Sequence, residues 1–394
     1  MRHCTITSVL PIFVSLLAST QALATTAPTP ADTRFSAGSF EQALPLYQAI
    51  HQHDPKDAHS LVRLGELEVY SDRLDEAKRD FEAALALDGS NKAAKSGLED
   101  IKDRTGANGT YRIDRKAHAT TVPFVATDPL PVVKVRLNGK RDAYFLIDTG
   151  APGVVLDSET AKALHLDVKS AGQGNFAGGQ QSAVMQSTID SIALGGVVVR
   201  HVPIAVLPMA GAPAPKGIHI DGMVGTSLFY HFLTTLDYVH GRLVLAPSSD
   251  SAHFEQAAKQ HGDSIVPMWY VPDHFLFAQA NVDGIAGLFN VDTGGDDVGV
   301  QVSKDMLEQS HVKLDERHKS HMSSPGGDVV TIPFKASVEV GNTTVKDVPG
   351  VYMPGGDQYG IFPFAVGGTI SHKFFRTQVV TFDFNAMRMV IAKP

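Results

Sequence analysis

Asp148-Thr149-Gly150 closes one apolar run of the sequence and Asp292-Thr293-Gly294 closes another. Two carboxylates held in contact cannot both ionise cheaply, so they share one proton and titrate as a pair. Such a pair keeps a base and an acid in one place: the ionised oxygen can take a proton from water while the protonated partner polarises a carbonyl. One such triplet is weak evidence, because Asp and Gly are ordinary turn residues. Two copies in matching contexts, AYFLIDTGAPGVVL and GLFNVDTGGDDVGV, with aspartates 144 residues apart (292 minus 148), point to a duplicated unit that brings two carboxylates to one site.

The elements that must position them repeat as well. The segment from Asp221 to Leu245 aligns without a gap on Gly367 to Ile391 at an offset of 146, pairing Gly222 with Gly368, Val224 with Ile370, Phe229 with Phe375, Thr235 with Thr381, Asp237 with Asp383 and Arg242 with Arg388. Upstream, Asn138-Gly139 and Asp283-Gly284 each separate two strand-like runs, a strong signal for a tight β-hairpin. Two units of about 130 residues, rich in short strands, imply two similar β lobes. Asp237 and Asp383 precede terminal strands and read as structural turn residues.

A triplet of this kind after an apolar strand, followed by Met223-Val224-Gly225, resembles the pepsin-like and retroviral-type aspartic proteases, and most nearly the exported bacterial retropepsin-like proteins. The likeness covers roughly residues 120–394. It implies a mainly β fold of two aspartic protease barrels, with lobe 1 over 120–248 and lobe 2 over 262–394. It also implies an aspartic endopeptidase in which Asp148 and Asp292 activate a water at the lobe interface; a proton shared by two such carboxylates is a known property of that family. Thr149 and Thr293 are then expected to bond across to the opposite lobe. Gly150 and Gly294 let the backbone approach the carboxylates and offer its N–H groups. One departure stands out: Ser371, preceded by Thr369, occupies the position where lobe 2 should carry glycine. The alternative is a non-catalytic peptide- or protein-binding module of the same fold.

Ala151 and Gly295 follow the triplets, where pepsin-like lobes often place a hydroxyl. Neither side chain can donate to a carboxylate, and removing donors to a charged form raises its pKa. A pH optimum nearer mildly acidic to neutral than strongly acidic follows. Between Asp148 and Asp221, GQGNFAGGQQSAVMQ (172–186) surrounds Phe176 with glycines. By resemblance this is a flap hairpin closing over substrate, with Phe176, Gly178 and Gly179 as its contacts; glycine-rich lids move cheaply. The polar SSPGGDVVT (323–331) of the second half reads as a structural hairpin.

The amino terminus carries Arg2, a short apolar core and an Ala22-Leu23-Ala24 ending, the pattern of a cleavable secretory signal over residues 1–24. Cys4, the single cysteine, lies inside it, so the mature chain has no disulfide or thiol chemistry. A periplasmic or secreted location and no stable membrane insertion follow. Residues 32–104 are helix-patterned and resemble tetratricopeptide repeats: Ala43 and Tyr47 precede Ala77 and Phe81 by 34 residues, the repeat length. Only about one and a half repeats fit, too few for a free-standing solenoid. Such a module docks on the β lobes, binds a protein partner, or does both, unless it is a plain spacer. A linker over 105–119, with Asn108-Gly109 as its turn, is expected to follow. A self-processing precursor, in which these helices block the cleft until removed, is a further alternative.

A net charge of −8 without a basic stripe argues against nucleic-acid binding. No phosphate loop, dinucleotide fingerprint or zinc signature is present, so no cofactor and no metal is expected, and His51, His53, His311, His318 and His321 read as solvated. Trp269 and Tyr270 read as core or cleft wall. The partner expected for the cleft is a peptide or protein substrate, bound extended in the manner of strand addition. One chain supplies both aspartates, so a monomer suffices.

Overall fold

A computed structural model describes residues 27–114, 118–176, 180–272, 274–324, 327–355 and 359–393. The expected signal peptide and the flap positions Gly178 and Gly179 lie outside the described residues.

Five helices open the described chain: α1 (Pro30–Ser36), α2 (Phe40–His53), α3 (Ala58–Tyr70), α4 (Leu74–Leu87) and α5 (Lys92–Thr110). Their starts are written locally. Thr29 and Asp32 form a reciprocal capping box on α1, and the side chains of Asp57 and Asn91 accept backbone N–H groups at the starts of α3 and α5. Phe81 is fully buried in a slot made by two glycines. A Cβ on Gly65 of α3 would lie 2.6 Å from its ring, and one on Gly97 of α5 would lie 2.3 Å away. Ala43, Tyr47 and Ala77 are buried with it, so the positions spaced by 34 residues are the packing positions of the helices.

The expected linker is built differently. Helix α5 continues through Asn108-Gly109 to Thr110, so that pair is no turn, and β1 (Arg112–Asp114) follows at once and pairs with lobe 1. The physical reason is tertiary anchoring, which overrides the weak helix propensity of Asn and Gly. Arg104 reaches Val69 O at 2.7 Å, Asp72 at 3.3 Å and Tyr270 O at 2.7 Å, with its guanidinium 4.3 Å from the centroid of the Tyr270 ring.

Lobe 1 comprises β2 (Thr120–Ala126), β3 (Val132–Leu137), β4 (Arg141–Ile147), β5 (Val154–Asp157), α6 (Ser158–Ala163), β6 (Lys169–Phe176), β7 (Gln180–Leu194), β8 (Val197–Leu207), β9 (Gly222–Val224) and α7 (Thr226–Phe229). Strands β10 (Phe232–Asp237) and β11 (Arg242–Pro247) and helix α8 (Ser251–His261) lead to lobe 2. Lobe 2 repeats the plan with β12 (Ser264–Val271), β13 (Phe275–Val282), β14 (Ile285–Val291), β15 (Val300–Val302), α9 (Lys304–Ser310), β16 (Ser320–Ser324), β17 (Gly327–Val340), β18 (Thr343–Tyr352), β19 (Gly368–Ile370), α10 (His372–Phe375), β20 (Val379–Asp383) and β21 (Arg388–Ile391). The protein is thus mainly β, with two barrel-like lobes of matching topology behind a helical segment.

The match extends to strand pairing. In lobe 1, β9 lies between β4, parallel to it, and β5, antiparallel to it, while β5 runs parallel to β8. In lobe 2, β19 lies between β14 and β15 in the same senses, and β15 runs parallel to β18. Both predicted hairpin turns form, with positive φ at Asn138 and Gly139 and again at Asp283 and Gly284, the conformation for which such pairs are suited. Strands β16 and β17 pair antiparallel, from Ser320 opposite Thr331 to Ser324 opposite Gly327, answering the β6–β7 pair of lobe 1.

A six-stranded antiparallel sheet, in the order β2–β11–β10–β20–β21–β12, joins the lobes. At its centre Thr235 faces Thr381, its own repeat equivalent, with the hydroxyls 2.8 Å apart. A pseudo-twofold axis therefore passes through this pair. Asp237 accepts from the backbone N–H of His240 and from Arg242, and Asp383 accepts from Ala386 N–H and Ser251; both close the turns that follow them.

The helical segment docks on the lobes. Phe35, Phe40 and Tyr70 share one apolar cluster with Trp269, Phe277, Leu288 and Phe364 of lobe 2, with the ring of Phe40 centred 5.2 Å from that of Trp269 and 4.9 Å from that of Phe364. Gly38 has a φ of +68°, and a Cβ there would lie 2.8 Å from Leu288, so the α1–α2 corner lies directly on β14. Lobe 1 is held too: Tyr230 donates to Asp72 at 2.7 Å. Trp269 is therefore a docking residue, and Tyr270 lies beneath Arg104.

Candidate active site

Strands β4 and β14 deliver Asp148 and Asp292 to the lobe interface. The N–H of Asp148 donates to Val224 O and that of Asp292 to Ile370 O, both at 3.0 Å, so each aspartate is anchored to the middle strand of its own lobe. The chain then turns, and Gly150 N–H donates to Asp148 Oδ1, and Gly294 N–H to Asp292 Oδ1, each at 2.8 Å.

The two threonines cross between lobes. Thr149 N–H donates to Thr293 Oγ1 and Thr293 N–H donates to Thr149 Oγ1, both at 3.0 Å. Each hydroxyl in turn donates to a carbonyl of the opposite lobe: Thr149 to Val291 O at 2.9 Å, and Thr293 to Ile147 O at 3.4 Å. Both side chains are buried. Only a hydroxyl can accept and donate in this way, and a β-branched stem restricts its rotamer.

The glycines set the spacing of the carboxylates. A Cβ on Gly150 would lie 2.4 Å from Asp292 Cγ, and one on Gly294 would lie 2.3 Å from Asp148 Cγ. Each carboxyl group thus packs on the other lobe's glycine, and the two carboxyls are hydrogen-bonded to each other. Burial, followed by the charge of Asp292 and that hydrogen bond, holds the Asp148 carboxyl well above the usual carboxylate range, and the N–H groups of Gly150 and Ala151 offset this only in part.

Ser371 fits a compensated exchange. In lobe 1 a Cβ on Gly225 would lie 2.2 Å from the backbone carbonyl oxygen of Ala151 and 2.6 Å from that of Gly153, so the close approach of the loop backbone holds that position to glycine. In lobe 2 the pair is Gly295 and Ser371: a Cβ on Gly295 would lie 2.3 Å from Ser371 Oγ, and the serine hydroxyl fills that space. It donates to Asp292 O at 2.6 Å and accepts from Gly295 N–H at 3.0 Å. Lobe 1 secures its own loop through Thr226, which donates to Thr149 O at 2.7 Å. Its repeat equivalent, His372, is buried beside the Tyr238 ring, and burial and Lys373 push its pKa down to about 4, leaving it neutral. Thr226 and the supporting role of Ser371 escape a reading of single positions; the fit of the serine shows only in its spatial pairing with Gly295.

Phe176 ends β6 and packs with Val184, Leu146, Val155 and Met223 in an apolar cluster of lobe 1. Leu146 lies two residues before Asp148 on β4, so this hairpin covers the strand face on which the catalytic candidate stands. Asp221, just before β9, is buried and accepts from Tyr144 N–H, Thr160 and Arg141, which fixes the middle strand of lobe 1.

Residues 133–228 match the family model of the aspartyl proteases. That span carries the Asp148 loop and the middle strand of lobe 1, and it makes this part of the chain an aspartic protease-like domain. Among solved structures, the chain is similar to a retropepsin-like aspartic protease from Rickettsia conorii, at 18% identity over 34% of this chain and 90% of that one, with a TM-score of 0.23. It is also similar to conglutin gamma, a basic 7S globulin from lupine seeds (10% identity, 71% and 96% coverage, TM-score 0.40), and to Basic 7S globulin from soybean (10%, 70% and 94%, 0.37). No curated protein matches the chain. Among the described residues, no group of three or more His, Cys, Asp or Glu side chains is arranged to hold a metal ion, and no helix is long and apolar enough to cross a membrane.

Proposed function

We propose that the chain is an aspartic endopeptidase whose catalytic pair is Asp148 and Asp292. The observation that carries this reading is the contact of the two carboxyls between reciprocal glycines, with Thr149 and Thr293 bonded across the interface. Asp148 and Asp292 share one proton in the free enzyme, and the raised pKa of Asp148 reflects that sharing. The ionised oxygen of the pair takes a proton from water, the water attacks the peptide carbonyl while the shared proton stabilises the developing oxyanion, and the resulting tetrahedral diol collapses as a proton passes to the leaving amine. The substrate peptide lies extended beneath the β6–β7 hairpin, with Phe176 and the adjoining Gly178 and Gly179 as its cover. Both aspartates come from one chain, so a monomer is competent. Export through residues 1–24 to the periplasm or beyond, and a protein partner for the tetratricopeptide-like helices, belong to the same reading.

Hydrolysis of a diverse peptide library between pH 3 and 8, by the mature protein and by Asp148→Asn and Asp292→Asn, tests it. Loss of activity in both variants is expected. Loss in only one rules out a shared pair, and no hydrolysis by well-folded wild type leaves a peptide-binding module. The profile should peak in the mildly acidic to neutral range, because the pair must keep one proton and the Asp148 pKa is raised. A peak below about pH 3.5, under the ordinary aspartate value, contradicts that.

A further inference from the structure

The two strands that deliver the aspartates present unlike walls beside them. On β4, Phe145 and Ile147 point into the main core, so Leu146 faces the other way, on the side of Asp148. On β14, Phe289 and Val291 point into the core and Asn290 stands on the side of Asp292. Strand register extends each position into a row. Leu146 lies beside Met223, and Met223 beside Val155. Asn290 lies beside Thr369, and Thr369 beside Gln301. Topologically equivalent rows thus read Leu-Met-Val in lobe 1 and Asn-Thr-Gln in lobe 2.

The polar row is unusual in its burial. Asn290 is 6% exposed, Thr369 6% and Gln301 8%, depths at which polar side chains normally serve a partner. Asn290 Oδ1 is buried without a hydrogen-bond partner. Tyr359, on the connection between β18 and β19, places its hydroxyl 2.6 Å from Thr369 Oγ1. A buried amide oxygen left unpaired is costly, and the equivalent position of lobe 1 carries the apolar Leu146 instead. The apolar row, by contrast, is closed over by Phe176 and Val184 of the β6–β7 hairpin.

We propose that Asn290, Thr369 and Gln301 form a polar subsite that takes a neutral hydrogen-bonding side chain of the substrate, asparagine, glutamine, serine or threonine. Leu146, Val155 and Met223 form the apolar subsite on the other side of the scissile bond. The inference rests on the endopeptidase reading and deepens it: the preferred peptide has an apolar residue at one flank of the cleaved bond and a neutral polar residue at the other. Charged side chains are disfavoured at the polar flank, because none of the three residues carries a counter-charge.

Two readouts on one peptide library test this: cleavage by the wild type, and binding to Asp148→Asn followed by fluorescence anisotropy. The library varies both residues flanking the scissile bond. A neutral polar residue at one flank and an apolar residue at the other is expected in each readout. Asn290→Leu and Thr369→Met should each shift the polar flank toward aliphatic residues by about 10-fold or more in kcat/KM ratio. Leu146→Asn should shift the opposite flank toward polar residues, which a merely structural role would not produce. Apolar preference at both flanks, or an unchanged ratio in folded Asn290→Leu, overturns the subsite while leaving the endopeptidase intact. Polar-selective binding without hydrolysis overturns the endopeptidase and keeps the subsite. Neither binding nor cleavage overturns both.

Discussion

Replacing Thr149 by valine keeps the shape of the side chain and removes one oxygen. That oxygen makes two of the four bonds between the aspartate-bearing loops, accepting from Thr293 N–H at 3.0 Å and donating to Val291 O at 2.9 Å. Thr149 is 2% exposed and Thr293 0%, so water cannot replace the lost partners. Each buried group left unpaired costs about 1–3 kcal/mol. The burial of one extra methyl returns roughly 1 kcal/mol, so with two groups left unpaired Thr149→Val should lose about 1–5 kcal/mol. Activity should fall more steeply, by about 100-fold or more, because a shift of about 1 Å between catalytic groups has that effect. Urea unfolding followed through Trp269, the single tryptophan, together with peptide hydrolysis, measures both. Thr149→Ser retains the hydroxyl and should stay near wild type. A Thr149→Val protein within 1 kcal/mol and threefold of wild type would refute the view that the crossed hydroxyls hold the pair in register.

Three further outcomes are expected. Asp148→Asn should stabilise the protein at pH 7. A carboxyl with a raised folded-state pKa contributes stability that is fully present below its unfolded value near 4 and is lost as pH rises through the folded value, at about 1.4 kcal/mol per unit. Melting temperatures of variant and wild type should therefore diverge as pH is raised from 4 to 7, and curves that stay parallel would contradict this. Gly294→Ala should abolish hydrolysis, since its Cβ would fall 2.3 Å from Asp148 Cγ; an active Gly294→Ala enzyme would show that the carboxyls stand further apart. Phe40→Ala should cost about 3–5 kcal/mol as for other buried phenylalanines and release the helices from Trp269 and Phe364, visible as a shift in tryptophan emission; unchanged emission would place the docking energy elsewhere.

Much of the architecture was legible because duplication writes each message twice. The hairpin turns at Asn138-Gly139 and Asp283-Gly284, the two strands that end in aspartate, and the offset of 146 that pairs Thr235 with Thr381 all rest on local chemistry repeated in register. Contacts between distant segments were not legible. Arg104 bonds to a carbonyl 166 residues away, and that anchor continues a helix through Asn108-Gly109 where local propensity suggests a turn. Ser371 departs from the glycine found at the equivalent Gly225, and its fit depends on Gly295, a neighbour only in space. The polar row beside Asp292 needs strand register to be seen at all, since Asn290, Thr369 and Gln301 are ordinary residues until three strands bring them together.

The self-pairing of Thr235 and Thr381 has a consequence for what this molecule is free to become. Two identical subunits meeting across such an axis would present the same wall on both sides of a site lying on it, and any substitution would appear twice. Joining the halves in one chain lifts that constraint. One wall can remain greasy while the other turns polar, one loop can keep alanine and glycine while its twin uses glycine and serine, and a helical cap can grow chiefly against one half. Asymmetry of recognition is then inherited in the covalent link, and the central sheet is the part that must stay symmetric for the rest to diverge.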